Sequence, residues 1–246
     1  MKYIHTESVH NLKAANQVVP ALLKMHEIRS VVDVGCGIGT WLKVFETNGV
    51  SNILGIDGDY IDSNKLVINK SNFLAKDLEQ PFTLNRKFSL VLSLEVAEHL
   101  KPNCANNFID SLCELGDFIV FSAAIPSQGG QNHINEQEPA YWIEKFKSRG
   151  YIDYDILRPL FWENIQVDWW YKQNMIIFCK NESLKIKLES YKSFKGQYLI
   201  HPILFQNRSR EAHNLENELK RIRNAEKLVS FYFTLLRKAF IKKIKN

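Results

Sequence analysis

Residues 31–41 read V-V-D-V-G-C-G-I-G-T-W, and this stretch decides the fold. An apolar run with an embedded acid, Val31 to Val34, leads directly into glycines at positions 35, 37 and 39, and a helical pattern follows from Trp41. A strand, a glycine-rich turn and a helix in this order form the first unit of a doubly wound α/β domain. Such a turn needs glycines because it is tight and because a ligand approaches its backbone, where a Cβ atom would intrude. Its N–H groups and the helix N-terminus then face the anionic or polar group that binds.

The spacing of these glycines distinguishes two classes of ligand. A dinucleotide-binding turn places its third glycine three residues after the second, whereas here that position is Thr40 and the third glycine is Gly39. The resulting G-x-G-x-G pattern, preceded by Asp33, resembles motif I of the class I S-adenosylmethionine-dependent methyltransferases. The alternative is a glycine turn that serves the fold alone. The resemblance implies that the turn and the helix start contact the cofactor through Asp33, Gly35, Cys36, Gly37, Gly39, Thr40 and Trp41.

Three later segments resemble further landmarks of the same family, in the same order. Residues 53–57 (I-L-G-I-D) read as a buried strand ending in Asp57, whose carboxylate can accept both ribose hydroxyls, with Gly58 beside it. Residues 73–82 (F-L-A-K-D-L-E-Q-P-F) resemble the segment in which an acid and its neighbour's backbone bracket the adenine, here Asp77 and Leu78. Residues 88–100 resemble the fourth strand and the following helix start, and they place Leu94 and Glu95 against the cofactor. These landmarks together predict S-adenosylmethionine as the cofactor.

The order of the segments predicts an α/β fold: a Rossmann-like class I methyltransferase sheet with helices on both faces. Helices are expected at about 10–28, 103–115 and 139–149, a fifth strand at 117–124, and a closing pair of strands at 151–160 and 175–180. The predicted methyltransferase domain spans residues 1–180, and a C-terminal basic helical extension spans 181–246. At 246 residues and 45% hydrophobic, the chain is long enough for one sizeable core.

Composition argues against several classes of protein. The four cysteines show no C-x-x-C spacing, so neither a zinc site nor a redox pair is expected. The first residues, M-K-Y-I-H-T-E-S-V-H, lack the apolar centre of a secretory signal. The chain also contains no run of about 18 uncharged apolar residues that could cross a membrane. We therefore expect a cytoplasmic protein.

Two segments carry the candidate catalytic groups. The pattern E-x-x-E-H at Glu95, Glu98 and His99 follows the fourth strand, and a glycine-rich polar loop over 125–137, with His133, follows the fifth. Both lie at the carboxyl ends of strands, where open α/β sheets bind ligands, and such a loop suits an acceptor-binding lid. Methyl transfer to a hydroxyl requires a group that removes or polarises its proton, and histidine titrates near neutral pH. We therefore predict catalytic roles for His133, Glu95 and His99.

The E-x-x-E-H pattern also resembles one in small-RNA 2′-O-methyltransferases and some quinone-precursor O-methyltransferases, where it joins a downstream histidine to hold a divalent ion. This resemblance implies a ligand set of Glu95, Glu98, His99 and His133, the last by position alone. Oxygen-rich ligation favours Mg²⁺ or Mn²⁺ over structural zinc. Two alternatives need no metal: His133 acts as a general base by itself, and His99 packs as a structural histidine.

Aromatic residues interleaved with polar ones flank the last predicted hairpin, at 161–164 and 167–174. Aromatic faces beside Asp, Asn and Gln suit stacking against sugar rings, whereas the commoner fate of tryptophan is to pack inside a protein. The loop G-G-Q-N-H-I-N-E-Q, Trp142 after it and the segment W-W-Y-K-Q-N at 169–174 together resemble methyltransferases associated with bacterial polysaccharide and glycan synthesis. The resemblance implies an O-methyltransferase whose acceptor is a sugar hydroxyl of a glycan or nucleotide sugar. The alternatives are a small-RNA 2′-O-methyltransferase and a non-catalytic binding module built on the cofactor fold.

The C-terminal segment differs from the rest of the chain in charge. Residues 207–246 hold eleven Lys/Arg and four Glu, a net +7 against +5 for the whole chain, so the preceding part is slightly acidic. Apolar residues recur there at helical spacing. We expect a helix that contacts a membrane surface, which would make the protein peripheral at the membrane, or a helix that pairs with another copy of the chain. The alternative is a helix folded back on its own domain. Nucleic acid is not the expected partner, because the catalytic half has no basic surplus.

Overall fold

The computed structural model describes residues 11–194 and 198–244. The glycine-rich turn follows the first strand of a sheet whose first five strands are parallel. The seven-stranded sheet has the order β3-β2-β1-β4-β5-β7-β6. Strands β1 to β5 are parallel to one another, and β7 runs antiparallel to both β5 and β6. Because the strand order reverses between β1 and β4, their carboxyl ends open a crevice for a ligand. The strands are β1 Ser30–Val34, β2 Asn52–Asp57, β3 Phe73–Ala75, β4 Leu90–Leu94, β5 Phe118–Ser122, β6 Ile152–Tyr154 and β7 Ile176–Cys179.

Burial on both faces explains why the central strands read as continuous apolar runs. Every residue of β1, β4 and β5 is buried. A parallel strand covered by helices above and below has no wet face on which polar residues would alternate. Asp33 is the one charged residue in these three strands, and it lies next to the carboxyl end of β1. Its position therefore points to a role in the crevice.

Helices cover both faces of the sheet, and the predicted fold class is confirmed. One apolar core lies between the sheet and residues of α1, α2, α5 and α7. The other lies between the opposite face and residues of α3 and α4. These helices are α1 Lys13–Met25, α2 Thr40–Thr47, α3 Ala105–Leu115, α4 Pro139–Lys147, α5 Leu157–Phe161 and α7 Glu182–Glu189, and the short α6 Trp169–Asn174 precedes β7. The helix start predicted at residue 10 lies outside the described residues.

The strand predicted at 151–160 is wrong in its second half. β6 ends at Tyr154, and the short helix α5 follows it. Asp155 and Arg158 form an ion pair in which both side chains are fully buried, and Arg158 Nη1 donates to the carbonyl of Gln173 at 3.2 Å. In an extended chain, residues three apart point to opposite faces, so this pair requires a helical turn. The buried ion pair thus outweighs the strand preference of the segment.

The chain separates into two compact units, residues 1–201 and 202–246. The domain boundary predicted after residue 180 precedes α7, whose Leu188 is buried in the core of the first unit. The second unit contains α8 (Pro202–Arg223) and α9 (Val229–Ile244). Within the described ranges, no helix combines the length and the apolar composition needed to cross a membrane.

Candidate active site

A cavity of about 950 Å³ opens at the carboxyl ends of β1, β2 and β4. Eleven of the residues predicted to bind the cofactor line it, namely Asp33, Gly35, Gly37, Thr40, Trp41, Asp57, Gly58, Asp77, Leu78, Leu94 and Glu95. Glu98, His99 and His133, which were predicted for catalysis or metal binding, line the same cavity. The structure therefore brings both halves of the predicted site into one space, with the volume of a typical ligand pocket.

The glycine-rich turn between β1 and α2 has a left-handed backbone at each of its glycines. Gly35, Gly37 and Gly39 have φ values of +87°, +55° and +87°. A Cβ atom on Gly35 would also lie 2.2 Å from Val96 Cγ2, well inside van der Waals contact. Only glycine adopts such a conformation without strain. The turn can therefore bring its backbone against a ligand.

Two residues predicted to contact the cofactor lie behind the cavity wall. Gly39 precedes α2, and a Cβ atom there would lie 2.9 Å from Ile68 Cγ1. Cys36 is buried beside Gly55, and a Cβ atom built on Gly55 would lie 2.6 Å from the Cys36 Sγ. Neither residue lines the cavity. In the described structure, their small size serves the packing of the turn against its neighbours.

The carboxylate of Asp57, at the end of β2, accepts hydrogen bonds on both oxygens. Oδ2 accepts from the Gly37 N–H at 2.7 Å, and Oδ1 accepts from the Gly58 N–H at 2.7 Å and the Tyr60 hydroxyl at 2.6 Å. Gly58 makes room for this tyrosine, since a Cβ atom there would lie 2.1 Å from the Tyr60 ring. Oδ1 thus already holds two donors. A ribose that binds both oxygens must therefore displace the Tyr60 hydroxyl.

We expect Asp57→Asn to weaken S-adenosylmethionine binding by roughly 30- to 100-fold, which calorimetry would measure. The amide of asparagine has one acceptor oxygen fewer for the ribose. Its N–H₂ group also faces the donors that bond the carboxylate in the wild type, and together these changes cost about 2–3 kcal/mol of binding free energy. Asp59→Asn is the matched control, because Asp59 is an exposed acid in the same cavity wall. Binding that is unchanged in the first variant, or equally weakened in both, would contradict the ribose role.

Two further acids of the cavity differ in their surroundings. Asp33 is 2% exposed, and burial, with the charge of Asp57, raises its pKa to about 8. A cationic group bound beside it, such as the ammonium of an amino acid, would favour its charged form again. Asp77 is exposed, and its Oδ1 accepts from the Glu79 N–H at 2.9 Å, in a turn that buries Leu78. A buried apolar side chain beside this turn suits the flat face of an adenine.

Glu95 leaves β4 with a φ of +55°, which is uncommon for a residue with a side chain. Its carboxylate accepts from Gln128 Nε2 at 2.9 Å and from Asn174 Nδ2 at 3.1 and 3.2 Å. Burial raises the pKa of Glu95 to about 7, and these hydrogen bonds act in the opposite direction. Sequence reasoning did not identify either amide as a partner of Glu95. Asn174 ends the aromatic segment in a pair of amide side chains, and Gln128 belongs to the polar loop, but neither position indicates its partner.

Glu98, His99 and His133 form a cluster in which one potential ligand atom from each lies within 4.8 Å of the others. Glu98 is fully buried, and the backbone N–H groups of Glu98 and Ala124 face its carboxylate without a well-formed hydrogen bond to either oxygen in the described structure. Burial and the charge of Glu95 raise the pKa of Glu98 well above its usual value. Burial and the neighbouring His133 ring lower the pKa of His99 to about 4, so this imidazole stays neutral near pH 7.

Glu136 positions the His133 ring within the polar loop. Its Oε1 lies 2.9 Å from His133 Nδ1 and also accepts from the Gly129 N–H at 2.6 Å. Its Oε2 accepts from the Ser127 N–H at 2.8 Å, so one carboxylate links the two ends of the loop by hydrogen bonds. A carboxylate at Nδ1 favours the tautomer whose lone pair is on Nε2. That lone pair suits either a proton acceptor or a metal ligand.

Three of the four predicted metal ligands, Glu98, His99 and His133, lie close enough together to bind one divalent cation. A cation would satisfy the buried Glu98 carboxylate, and neutral imidazoles such as His99 are common ligands. Glu95, the fourth predicted ligand, is not part of this cluster. Its carboxylate oxygens instead accept hydrogen bonds from side-chain amides. Three protein ligands would leave coordination positions for an acceptor.

One part of the predicted aromatic cluster reaches the cavity. Trp169, Trp170 and Tyr171, all from α6, line it, as does the polar loop over 128–133. Tyr171 also packs edge-on against Trp41, with 5.2 Å between ring centroids. The rest of the cluster lies elsewhere, since Trp162 contacts the rings of Phe194 and His201. Within the described residues, α6 therefore supplies two tryptophans of the cavity wall, in addition to Trp41 from α2.

A family model described as a methyltransferase domain matches residues 9–120 of the chain. The match contains every predicted cofactor contact, the acid at 98 and the histidine at 99, and it ends before the loop that carries His133. No curated protein sequence matches the chain closely enough to count as a relative.

Several solved structures are similar to this chain at low sequence identity. The methyltransferase domain of bacterial CtHen1 is 16% identical, with 69% of this chain and 100% of that chain covered and a TM-score of 0.49. Magnesium protoporphyrin IX methyltransferase from Synechocystis PCC 6803, with bound SAH, is 17% identical, with 74% and 90% covered and a TM-score of 0.49. DesVI from Streptomyces venezuelae is 15% identical, with 73% and 100% covered and a TM-score of 0.49. At these values the likenesses do not indicate a substrate for this chain.

Proposed function

We propose that this chain is a class I S-adenosylmethionine-dependent methyltransferase, as the family match over residues 9–120 supports, and that it methylates a carbohydrate hydroxyl on a glycan or nucleotide sugar. One observation carries the proposal. The cavity that holds the cofactor residues also contains a histidine–carboxylate cluster and two tryptophans. The first group suits deprotonation of a hydroxyl, and the second suits a sugar ring.

The acceptor half of the cavity combines apolar and polar groups in the way that a sugar requires. Trp169 and Trp170 offer aromatic faces to the C–H bonds of a sugar ring. Gln131 and Asn132, from the loop, add amide groups that can exchange hydrogen bonds with hydroxyls. A nucleic acid, with its continuous phosphate backbone, would instead call for an extended basic surface, and the chain before residue 207 is slightly acidic.

The reaction requires three contributions from the protein. The glycine-rich turn and Asp57 orient the cofactor, which when bound supplies an electrophilic methyl group on a positively charged sulfur. The cavity wall aligns the acceptor oxygen with that methyl group, and this alignment supplies much of the rate by proximity. His133 Nε2 accepts the hydroxyl proton, while Glu136 at Nδ1 stabilises the imidazolium that forms.

A divalent cation, if bound, would be held by Glu98, His99 and His133, and it would lower the pKa of the acceptor hydroxyl. Treatment with EDTA separates this arrangement from a metal-free one. Activity that survives EDTA would indicate that His133 acts as the general base without a metal. Activity that is lost and returns only with Mg²⁺ or Mn²⁺ would indicate that His133 is a ligand of the cation.

We expect Trp170→Leu to raise the KM for a sugar acceptor by about tenfold, because one stacking face is lost, while S-adenosylmethionine affinity changes less than twofold. Transfer of a labelled methyl group to a panel of nucleotide sugars and oligosaccharides would measure it. Trp162→Leu is the matched control, since Trp162 is also half-buried but lies outside the cavity wall. Methylation of a short RNA, with binding that weakens steeply with salt, would overturn the carbohydrate assignment.

A further inference from the structure

The helix α9 in the second compact unit presents an uncovered apolar stripe. From Phe233 to Lys243, every side chain is exposed. Val229, Phe233, Leu236 and Phe240 are 70%, 68%, 65% and 69% exposed, and their spacing of four, three and four residues places them on one face of the helix. A soluble monomer rarely leaves a continuous stripe of large apolar side chains in water, so this face needs a partner.

The charges of α9 identify the chemistry of that partner. The helix contains Arg237, Lys238, Lys242 and Lys243 and no acidic residue. All four cations are in its C-terminal half, whereas Val229–Leu236 carries no charge at all. An apolar stripe with several cations and no anion complements a surface that is apolar inside and negatively charged outside.

We propose that α9 binds the surface of a membrane that contains anionic lipids. The apolar stripe lies at the boundary between headgroups and acyl chains, and the Lys and Arg stems extend their charges to the lipid phosphates. The inference concerns the second unit alone, so it does not depend on the acceptor of the methyl group. It goes beyond that reaction by giving the chain a lipid surface as a binding partner.

A second copy of the chain is a poorer match for this face. Two α9 helices paired in parallel through the stripe would bring Arg237 and Lys243, which flank it, against the same cations of the other copy, with no acid on either helix to offset them. In an antiparallel pair, the charged half of each helix would lie against the apolar half of the other. The parallel pair would bring like charges together, and the antiparallel pair would bury cations against apolar side chains. Anionic headgroups would instead neutralise these cations.

Contacts inside the second unit keep the start of α9 beside α8. The Tyr232 hydroxyl donates to the carbonyl of Ile222 at 3.1 Å, and Lys227 pairs with Glu218 at 2.8 Å. These contacts end at Tyr232, after which the helix is exposed. The turn between the two helices thus has a defined structure, while the stripe that we assign to lipid remains available.

Sedimentation of the full-length protein with vesicles tests the proposal. Wild-type protein is expected to bind vesicles of phosphatidylcholine with 30% phosphatidylserine at least ten times more tightly than vesicles of phosphatidylcholine alone. The double variant Leu236→Glu/Phe240→Glu should lose at least tenfold of this binding. Lys242→Gln/Lys243→Gln should lose about fivefold per residue on the anionic vesicles only. Leu215→Glu/Leu219→Glu, two equally exposed positions on α8, is the matched control and should stay within twofold.

Each variant must keep the S-adenosylmethionine affinity and the circular dichroism of the wild type, which shows that its loss of binding is local. Equal binding to both kinds of vesicle would overturn the proposal, as would binding that the α9 variants leave intact. A wild-type dimer in light scattering that the α9 variants convert to monomer, without vesicle binding, would assign the stripe to a second copy instead.

Discussion

Replacing Gly35 with alanine is expected to weaken S-adenosylmethionine binding by at least 100-fold, measured by calorimetry. The left-handed backbone at this position, with φ of +87°, costs an alanine about 1–2 kcal/mol. The added Cβ atom would also meet Val96 Cγ2 at 2.2 Å, and Val96 is buried, so it has little room to move. Overpacking of this kind adds about 1–3 kcal/mol and shifts the turn that approaches the cofactor.

Gly49→Ala separates the cost of backbone strain from the effect on the site. Gly49 has a φ of +93°, and nothing lies within 4 Å of a Cβ atom built on it. This control should lower the melting temperature through backbone strain and leave cofactor affinity within twofold. If Gly35→Ala bound the cofactor as the control does, the glycine-rich turn would not be the cofactor cradle.

Replacing His133 with alanine is expected to lower kcat by roughly 100- to 10,000-fold, the range that one acid–base group contributes, and to leave cofactor affinity within twofold. The side chain faces the Glu98–His99 cluster and is held by Glu136 at 2.9 Å. Asp33 and Asp57, which are predicted to contact the cofactor, lie on β1 and β2 and not in the loop that carries His133. Single-turnover kinetics and calorimetry on the same preparation would measure both quantities.

His213→Ala is the control for this prediction, because His213 is an exposed histidine on α8 in the other compact unit. Its turnover should match that of the wild type. Equal losses of turnover and of cofactor affinity in His133→Ala would remove this histidine from its catalytic role. They would instead indicate that the loop supports the cofactor.

The cofactor half of the site was predictable because its parts are local. A turn that needs glycine, and a strand that ends in an acid, are encoded by neighbouring residues, and the parallel strand order then brings their ends together. Asp33 and Asp57 were identified in this way, and both line the cavity. The same local reading assigned Cys36 and Gly39 to the cofactor, because a sequence pattern does not distinguish a residue in a cavity wall from one packed behind it.

The acceptor half depended on contacts between distant segments. The resemblance of the E-x-x-E-H pattern placed Glu95 and Glu98 in one ligand set. In the structure, Glu98 lies in the cluster with the two histidines, whereas the Glu95 carboxylate beside it accepts hydrogen bonds from amides such as that of Asn174, 79 residues away. The buried pair of Asp155 and Arg158 likewise turned a predicted strand into a helix.

By itself, the sequence determined the α/β order of elements, the glycine turn and the acid at or near the end of each of the first two strands, because backbone conformation and burial pattern act over short distances. It also determined the contrast between a slightly acidic enzyme domain and a basic C-terminal helix. Tertiary structure alone decided which side chains share a hydrogen bond, that Glu136 holds His133, and that α6 turns its tryptophans into the cavity. Those outcomes depend on packing between segments far apart in the chain, and no local preference encodes them.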